Sequence, residues 1–403
     1  MMEKRELQFM DGKSSKFWRI ELDGACHTVT YGRIGTEGTS QTKEFSSPAE
    51  AKKSHDKLLS QKLAKGYVDT AGGGAAGGGA AAGAGDEVPF IAFPCTTGSN
   101  GTGSHASNFM GLRVSRFSAG KKPGDPKKTA YFFGSDYEND TFTEDLEAFL
   151  ESDVAAEARA LVLGPWAEEL YDVSSAEAVK LLVANAKKLP KLAGLFVGDI
   201  VQEENEISWI HQSDLSPLFA AFPKLQLLRA RGGQDLALSK AKHAGLRALA
   251  LETGGMNASV VRSILSGDFP ALEYLELWLG TEEYGGTCTV EDLQPLFKGK
   301  KFPKLRYLGL RNCDFVDDIA TVVVNSPLLQ RIETLDLSLG TLSDVGGRAL
   351  LKLPKESSLK KLDLSHHFMS KQLMKELKGL KLAVDVSEAE SPDDEWRFVA
   401  VGE

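Results

Sequence analysis

The chain has 403 residues, 42% of them hydrophobic, enough for two or three ordinary domains or one long repeat array. Its 47 Lys and Arg against 56 Asp and Glu give a net charge of −9, which excludes a protein that binds nucleic acid through its whole surface. Only residues 1–70 have a basic balance, with 12 Lys and Arg against 10 Asp and Glu.

That first stretch has the pattern of a small α+β module. ELQFMD, KFWRIEL and TVTYGRI suggest three strands, with turn residues in GRIG and EGTS. FSSPAEA then opens a helix. Ser47 suits its N-cap, Pro48 its first turn and Glu50 a capping box. Ala51, His55, Leu58, Leu59 and Leu63 recur at helical spacing, which predicts one buried face before the stop near Gly66.

From K-F-W-R-I-E-L through V-T-Y-G-R-I-G-T-E-G, K-E-F, S-P-A-E-A-K and K-G-Y, residues 3–68 resemble the WGR domain. Tyr31-Gly32-Arg33 stands at the Trp-Gly-Arg motif that names the family, with tyrosine in place of tryptophan. In poly(ADP-ribose) polymerases this domain helps bind DNA ends, so the resemblance implies contact with DNA or RNA. Physically, Tyr31 offers a ring for stacking on a base or ribose. Arg19, Lys43, Lys52 and Lys53 offer charges for phosphates. The alternative reading makes Tyr31 and Arg33 structural, or leaves the module a protein contact.

Residues 71–85 are Ala and Gly alone, and with the polar loop TTGSNGTGSHASNF they predict a flexible linker over 71–108. GLRVSRF and TAYFFGS suggest two strands flanking GKKPGDPKK, and FTEDLEAFLES a helix. Together 109–150 should cap the first of a series of repeats.

Beyond residue 150 the chain is a ladder. LRALAL (246–251), LEYLEL (272–277), LRYLGL (305–310), IETLDL (332–337) and LKKLDL (359–364) each fit L-x-x-L-x-L, the strand of a leucine-rich repeat. Weaker rungs are ARALVL (158–163), LAGLFV (192–197) and LQLLRA (225–230). Helical segments alternate with them, SSAEAVKLLVANAKKL and TVEDLQPLFKG carrying capping boxes at Ser174/Glu177 and Thr289/Asp292. The expected fold is therefore α/β: a solenoid over 109–403 with parallel strands on its concave face, helices on its convex face, and an acidic tail at 383–403. EWRFVAV in that tail could add a terminal strand.

Residues flanking the inward leucines should face the concave side. One column is Phe196, Arg229, Ala250, Glu276, Gly309, Asp336 and Asp363. The next is Gly198, Arg231, Glu252, Trp278, Arg311, Ser338 and Ser365. Trp and Arg dominate binding hot spots, so Trp278, with Arg231, Glu252, Glu276 and Arg311, is the expected protein-binding centre. The competing reading has the TEEYGG insertion folding over Trp278.

Catalytic signatures are missing: there is no phosphate loop, nucleophile elbow or zinc helix. GTGSH (101–105) lies in the predicted linker, and His366-His367 is expected in a surface turn. Asp336 and Asp363, on neighbouring rungs, should perturb each other across about 4.8 Å. Cys26, Cys95, Cys288 and Cys313 lie at no metal spacing and are expected as free thiols. No apolar run reaches the roughly 20 residues of a membrane span, and MMEKRELQF has no signal-peptide core, which predicts a cytoplasmic protein.

From about Asp140 to the end, EISWIHQSDLSPLFAAFPKLQLLRARGG and TLDLSLGTLSDVGGRALL are similar to a bacterial leucine-rich-repeat family. That family brings no established activity. The expected function is a non-enzymatic adaptor without cofactor or metal, its solenoid gripping a protein and its first module touching nucleic acid or protein. The alternative is a DNA- or RNA-binding regulator led by the first module.

Overall fold

The computed structural model describes residues 3–11, 14–33, 39–45, 47, 48, 51, 52, 54, 55, 58, 62, 68, 69, 88–93, 103–135, 140–394 and 396–402. It divides into two compact units, 1–83 and 84–403.

The first unit holds an antiparallel sheet of β1 (Glu3–Asp11), β2 (Ser14–Asp23), β3 (Cys26–Arg33), β4 (Thr39–Glu44) and β5 (Val68–Asp69), in the order β4-β3-β2-β1-β5. The first three are the expected strands. β4, TSQTKE, has no apolar residue to announce it. The described residues between 48 and 62 are helical, and Leu58 packs on Trp18, Ile20 and Val29. Glu50, Leu59 and Leu63 of the expected helix lie outside the described residues.

The second unit is a twelve-stranded sheet whose strands follow chain order. They are β6 (Asn108–Phe109), β7 (Leu112–Arg116), β8 (Thr129–Phe133), β9 (Ala160–Leu163), β10 (Gly194–Val197), β11 (Leu227–Arg231), β12 (Ala248–Glu252), β13 (Tyr274–Gly280), β14 (Tyr307–Cys313), β15 (Thr334–Asp336), β16 (Lys361–Asp363) and β17 (Ala383–Asp385). Only β6 and β7 pair antiparallel; every later pair is parallel. Each rung fills one register, so Leu249, Leu275, Leu308, Leu335 and Leu362 are successive partners. All five are fully buried, because neighbouring rungs supply the contacts that one short strand lacks. EWRFVAV adds no strand; Ala383–Asp385 is the last rung instead.

Helices return the chain along one face: α1 (Phe142–Leu150), α2 (Ala176–Ala184), α3 (Ser216–Ala221), α4 (Ala258–Ser266), α5 (Gln294–Phe297), α6 (Val316–Val323), α7 (Asp344–Leu350) and α8 (Lys371–Leu377). The α2 cap falls one residue later than expected, on Ser175, while Ser174 Oγ accepts from Ala176 N at 3.4 Å. Before α5, Asp292 accepts from Thr289 N at 3.0 Å as its capping box requires. At the first end α1 covers β7 and β8 through Phe117, Tyr131, Phe133 and Phe149, the cap that 109–150 predicts.

The opposite face of the sheet departs from expectation. A solenoid of this kind leaves that face open, yet here a second apolar core covers it. Val88, Phe90, Phe93, Phe109 and Met110 pack on Phe132, Val162, Phe196, Ala250 and Tyr274. Residues 88–93 cross the strands as a strap. Val88 N donates to Gln226 Oε1 at 2.8 Å, Arg247 donates to the Val88 carbonyl and stacks over Phe93, and Arg306 sits 4.3 Å over Phe90. The predicted linker therefore ends before Val88; its Ala/Gly run 71–85 lies outside the described residues. Among the described residues, no helix is long and apolar enough to cross a membrane.

Candidate functional site

In the first unit, Tyr31 pairs with Trp18 on β2 and with Thr39 on β4. Trp18, Ile20 and His27, on the same face by strand alternation, are buried, whereas Tyr31 is 42% exposed. Gly32 and Arg33 continue β3 opposite Phe17 and Lys16. The candidate cations do not converge on the ring. Arg19 is one residue from Trp18, hence on the other face, where it lies over Phe17. Lys43 shares the Tyr31 face but is four residues along β4 from Thr39, roughly 13 Å at about 3.4 Å per residue. Lys52 is exposed on the helix, and Lys53 lies outside the described residues.

In the second unit the two predicted columns exist in the predicted register. Phe196, Arg229, Ala250, Glu276, Gly309, Asp336 and Asp363 are successive partners, and Arg231 pairs with Glu252 as Trp278 does with Arg311. The structure joins them into one chain of alternating charge. Arg231 Nη1 lies 4.0 Å from Asp199, and its Nε donates to Glu252 at 2.7 Å. Arg229 bridges Glu252 and Glu276, and Arg311 bridges Glu276 at 3.0 Å and Asp336 at 3.4 Å. Tyr274 and Tyr307 stack beside them with ring centroids 4.1 Å apart, donating to Glu276 and Asp336. Burial alone would raise the Glu276 carboxyl, but Arg229 and Arg311 outweigh it and hold it at about 2. Burial pushes Asp336 up against the pull of Arg311, with the Asp363 charge adding to the rise. Asp363, despite its own burial, is lowered by Lys361. The two carboxylates thus perturb each other as their rung spacing predicts.

This array is not the open interface expected of it. Trp278 is 1% exposed, and Arg231, Glu252 and Glu276 are equally buried. The Trp278 ring is enclosed by Ile207, Leu339, Ala400 and Val401, with Arg311 5.2 Å over one face and Nε1 donating to Glu276 at 2.8 Å. The cover comes from the tail rather than from the TEEYGG insertion, although Tyr284 of that insertion rests against Gly402 and braces the tail.

A family model described as the WGR domain matches residues 3–73. Residues 3–73 are a WGR domain. Over 66 residues it is 41% identical to the uncharacterized protein YfeS of Escherichia coli K12, covering 16% of this chain and 27% of that protein. Over 67 residues it is 42% identical to protein YehF of the same organism, covering 17% and 24%. The chain thus spans about a quarter of the length of these curated relatives. A crystal structure of a Bacteroides fragilis protein from a structural-genomics programme resembles the whole chain, at 29% identity and a TM-score of 0.62 over 99% of each. The WGR domain accounts for Tyr31-Gly32-Arg33, and the strand alternation above shows which of its side chains share a face.

Three further groups differ from their sequence expectations. His366 and His367 are buried rather than in a surface turn, bonded to the carbonyls of Gly340 and Val386. His105 is held between Asp199 and Glu204; burial opposes its charge, but these acids raise it to about 10, so it is a cation at neutral pH. Cys26, Cys288 and Cys313 are free, and Cys95 lies outside the described residues. Among the described residues, no three His, Cys, Asp or Glu are grouped to hold a metal ion. Sequence reasoning missed Asp199, His105 and Asn312, none of which sits on an inward-leucine column.

Proposed function

We propose that the protein is a non-enzymatic adaptor acting in the cytoplasm: its WGR domain contacts nucleic acid, and its second unit, a leucine-rich-repeat solenoid, holds a protein partner. The observation that carries the reading is Tyr31. It stands at the motif position of the WGR domain and keeps 42% of its surface exposed while its neighbours on the same face are buried. An aromatic ring left partly in solvent beside a lysine-bearing strand suits sequence-tolerant stacking, worth about 1–3 kcal/mol per base. Lys43 and Lys52, both exposed, supply charge for phosphates, and the free thiols suit a reducing compartment.

The test is fluorescence anisotropy of the full chain with labelled blunt, nicked and single-stranded DNA and RNA. Binding should weaken as salt rises and drop by roughly 5- to 150-fold for Tyr31→Ala, the range set by one lost stack. No binding to any form at low salt contradicts the nucleic-acid half and leaves the WGR domain a protein contact.

A further inference from the structure

Residues 399–402 lie on the strands of the array as a bound peptide would. Asn312, fully buried at the end of β14 with φ 52°, takes the backbone of Val401 from both sides: its Oδ1 accepts from Val401 N at 3.0 Å and its Nδ2 donates to Val401 O at 2.5 Å. A primary amide can satisfy a peptide unit in this way without reading its side chain. Ala400 N donates to Leu339 O at 2.8 Å, and Ser208 Oγ donates to the Gly402 carbonyl. Side-chain selection comes from two places. Val401 enters the pocket of Trp278, Leu339 and Ile207. At 402 only glycine fits, since a Cβ there would meet the Tyr284 ring at 2.6 Å. Opposite, Gly254 lets the backbone pass, because its own Cβ would meet Gly402 O at 2.6 Å. The segment leading in is loosely held, with Trp396 86% and Phe398 53% exposed.

We propose that this is a site for an extended peptide with an aliphatic residue followed by glycine, and that 399–402 is its built-in occupant, displaced when a partner supplies such a segment. This rests on the reading of the second unit as the partner-holding part. A surface that satisfies peptide N–H and C=O groups while gripping one side chain is the usual form of extended-peptide recognition. An intramolecular occupant weakens a competing peptide by the fraction of time it is away.

The test uses a labelled peptide of residues 396–402 and anisotropy. The proteins are the full chain, the chain ending at Asp394, the full chain with Val401→Asp, and the shortened chain with Asn312→Ala. The shortened chain and V401D should bind the peptide, the full chain at least roughly tenfold more weakly, and the Asn312 variant not at all. If shortening unfolds the chain by circular dichroism, V401D decides alone. Failure of V401D to bind, or equal binding by the full chain, overturns the proposal. Because DNA titration of the same proteins reads the WGR domain separately, loss of peptide binding with DNA binding intact sinks this site alone.

Discussion

Trp278 carries the aromatic bulk of a binding hot spot, yet its ring belongs to the interior. Enclosed by Ile207, Leu339 and Val401, it should behave as a core residue: Trp278→Ala is expected to lower unfolding stability by about 3–5 kcal/mol. Denaturant titration checks this, and a change under about 1 kcal/mol would mean that the cover is not formed in solution. Glu276 makes a prediction of opposite chemistry. Its folded carboxyl, at about 2, is depressed below the ordinary value of 4.5. The stabilisation it brings is therefore complete above pH 4.5 and lost as pH falls through about 2. Glu276→Gln should cost on the order of 3–5 kcal/mol at neutral pH, since Arg229 and Arg311 lose a buried partner. The gap between variant and parent in thermal unfolding should close as pH falls from 4.5 towards 2; a constant gap contradicts the ion-chain account. The register of Trp278, Arg231, Glu252, Glu276 and Arg311 was legible in the sequence because the leucine spacing fixes which residues alternate to the other face. Their burial was not, because the covering residues are up to 123 positions away, Val401 on Trp278 being the case in point.

At the scale of elements, the strap 88–93 decides whether the sheet has one open face or none. Phe93 is 1% exposed beneath Arg247, and Phe90 lies under Arg306. Phe93→Ala should remove about 3–5 kcal/mol of stability and speed proteolysis of 88–112, read by mass spectrometry of the fragments. Unchanged cleavage would mean that the strap is not docked. The leucine rungs were readable because each repeats a pattern that its neighbours echo. The strap repeats nothing, and its aromatic residues sit beside an Ala/Gly run that sets the expectation of a linker. The signal lay in three phenylalanines, Phe90, Phe93 and Phe109, within a stretch too apolar for a solvated linker. The tail misled in the same way. Its acidic composition suggested a solvated end with one terminal strand, whereas Val399 and Val401 are buried and held by backbone bonds rather than by strand pairing.

For the whole molecule, two units of different construction share one chain: a WGR domain with an exposed aromatic, and a repeat sheet whose second face is filled by its own segments. Each unit then has its own task. In the free protein the WGR domain offers the accessible site, and the repeat sheet is closed until a partner segment replaces 399–402. Hydrogen exchange of the full chain with and without a saturating nicked duplex tests that division in one measurement. Exchange should slow across 14–44 and stay unchanged across the concave strands between Gly194 and Cys313. Slowing on those strands without any in 14–44, or no slowing anywhere, would contradict it.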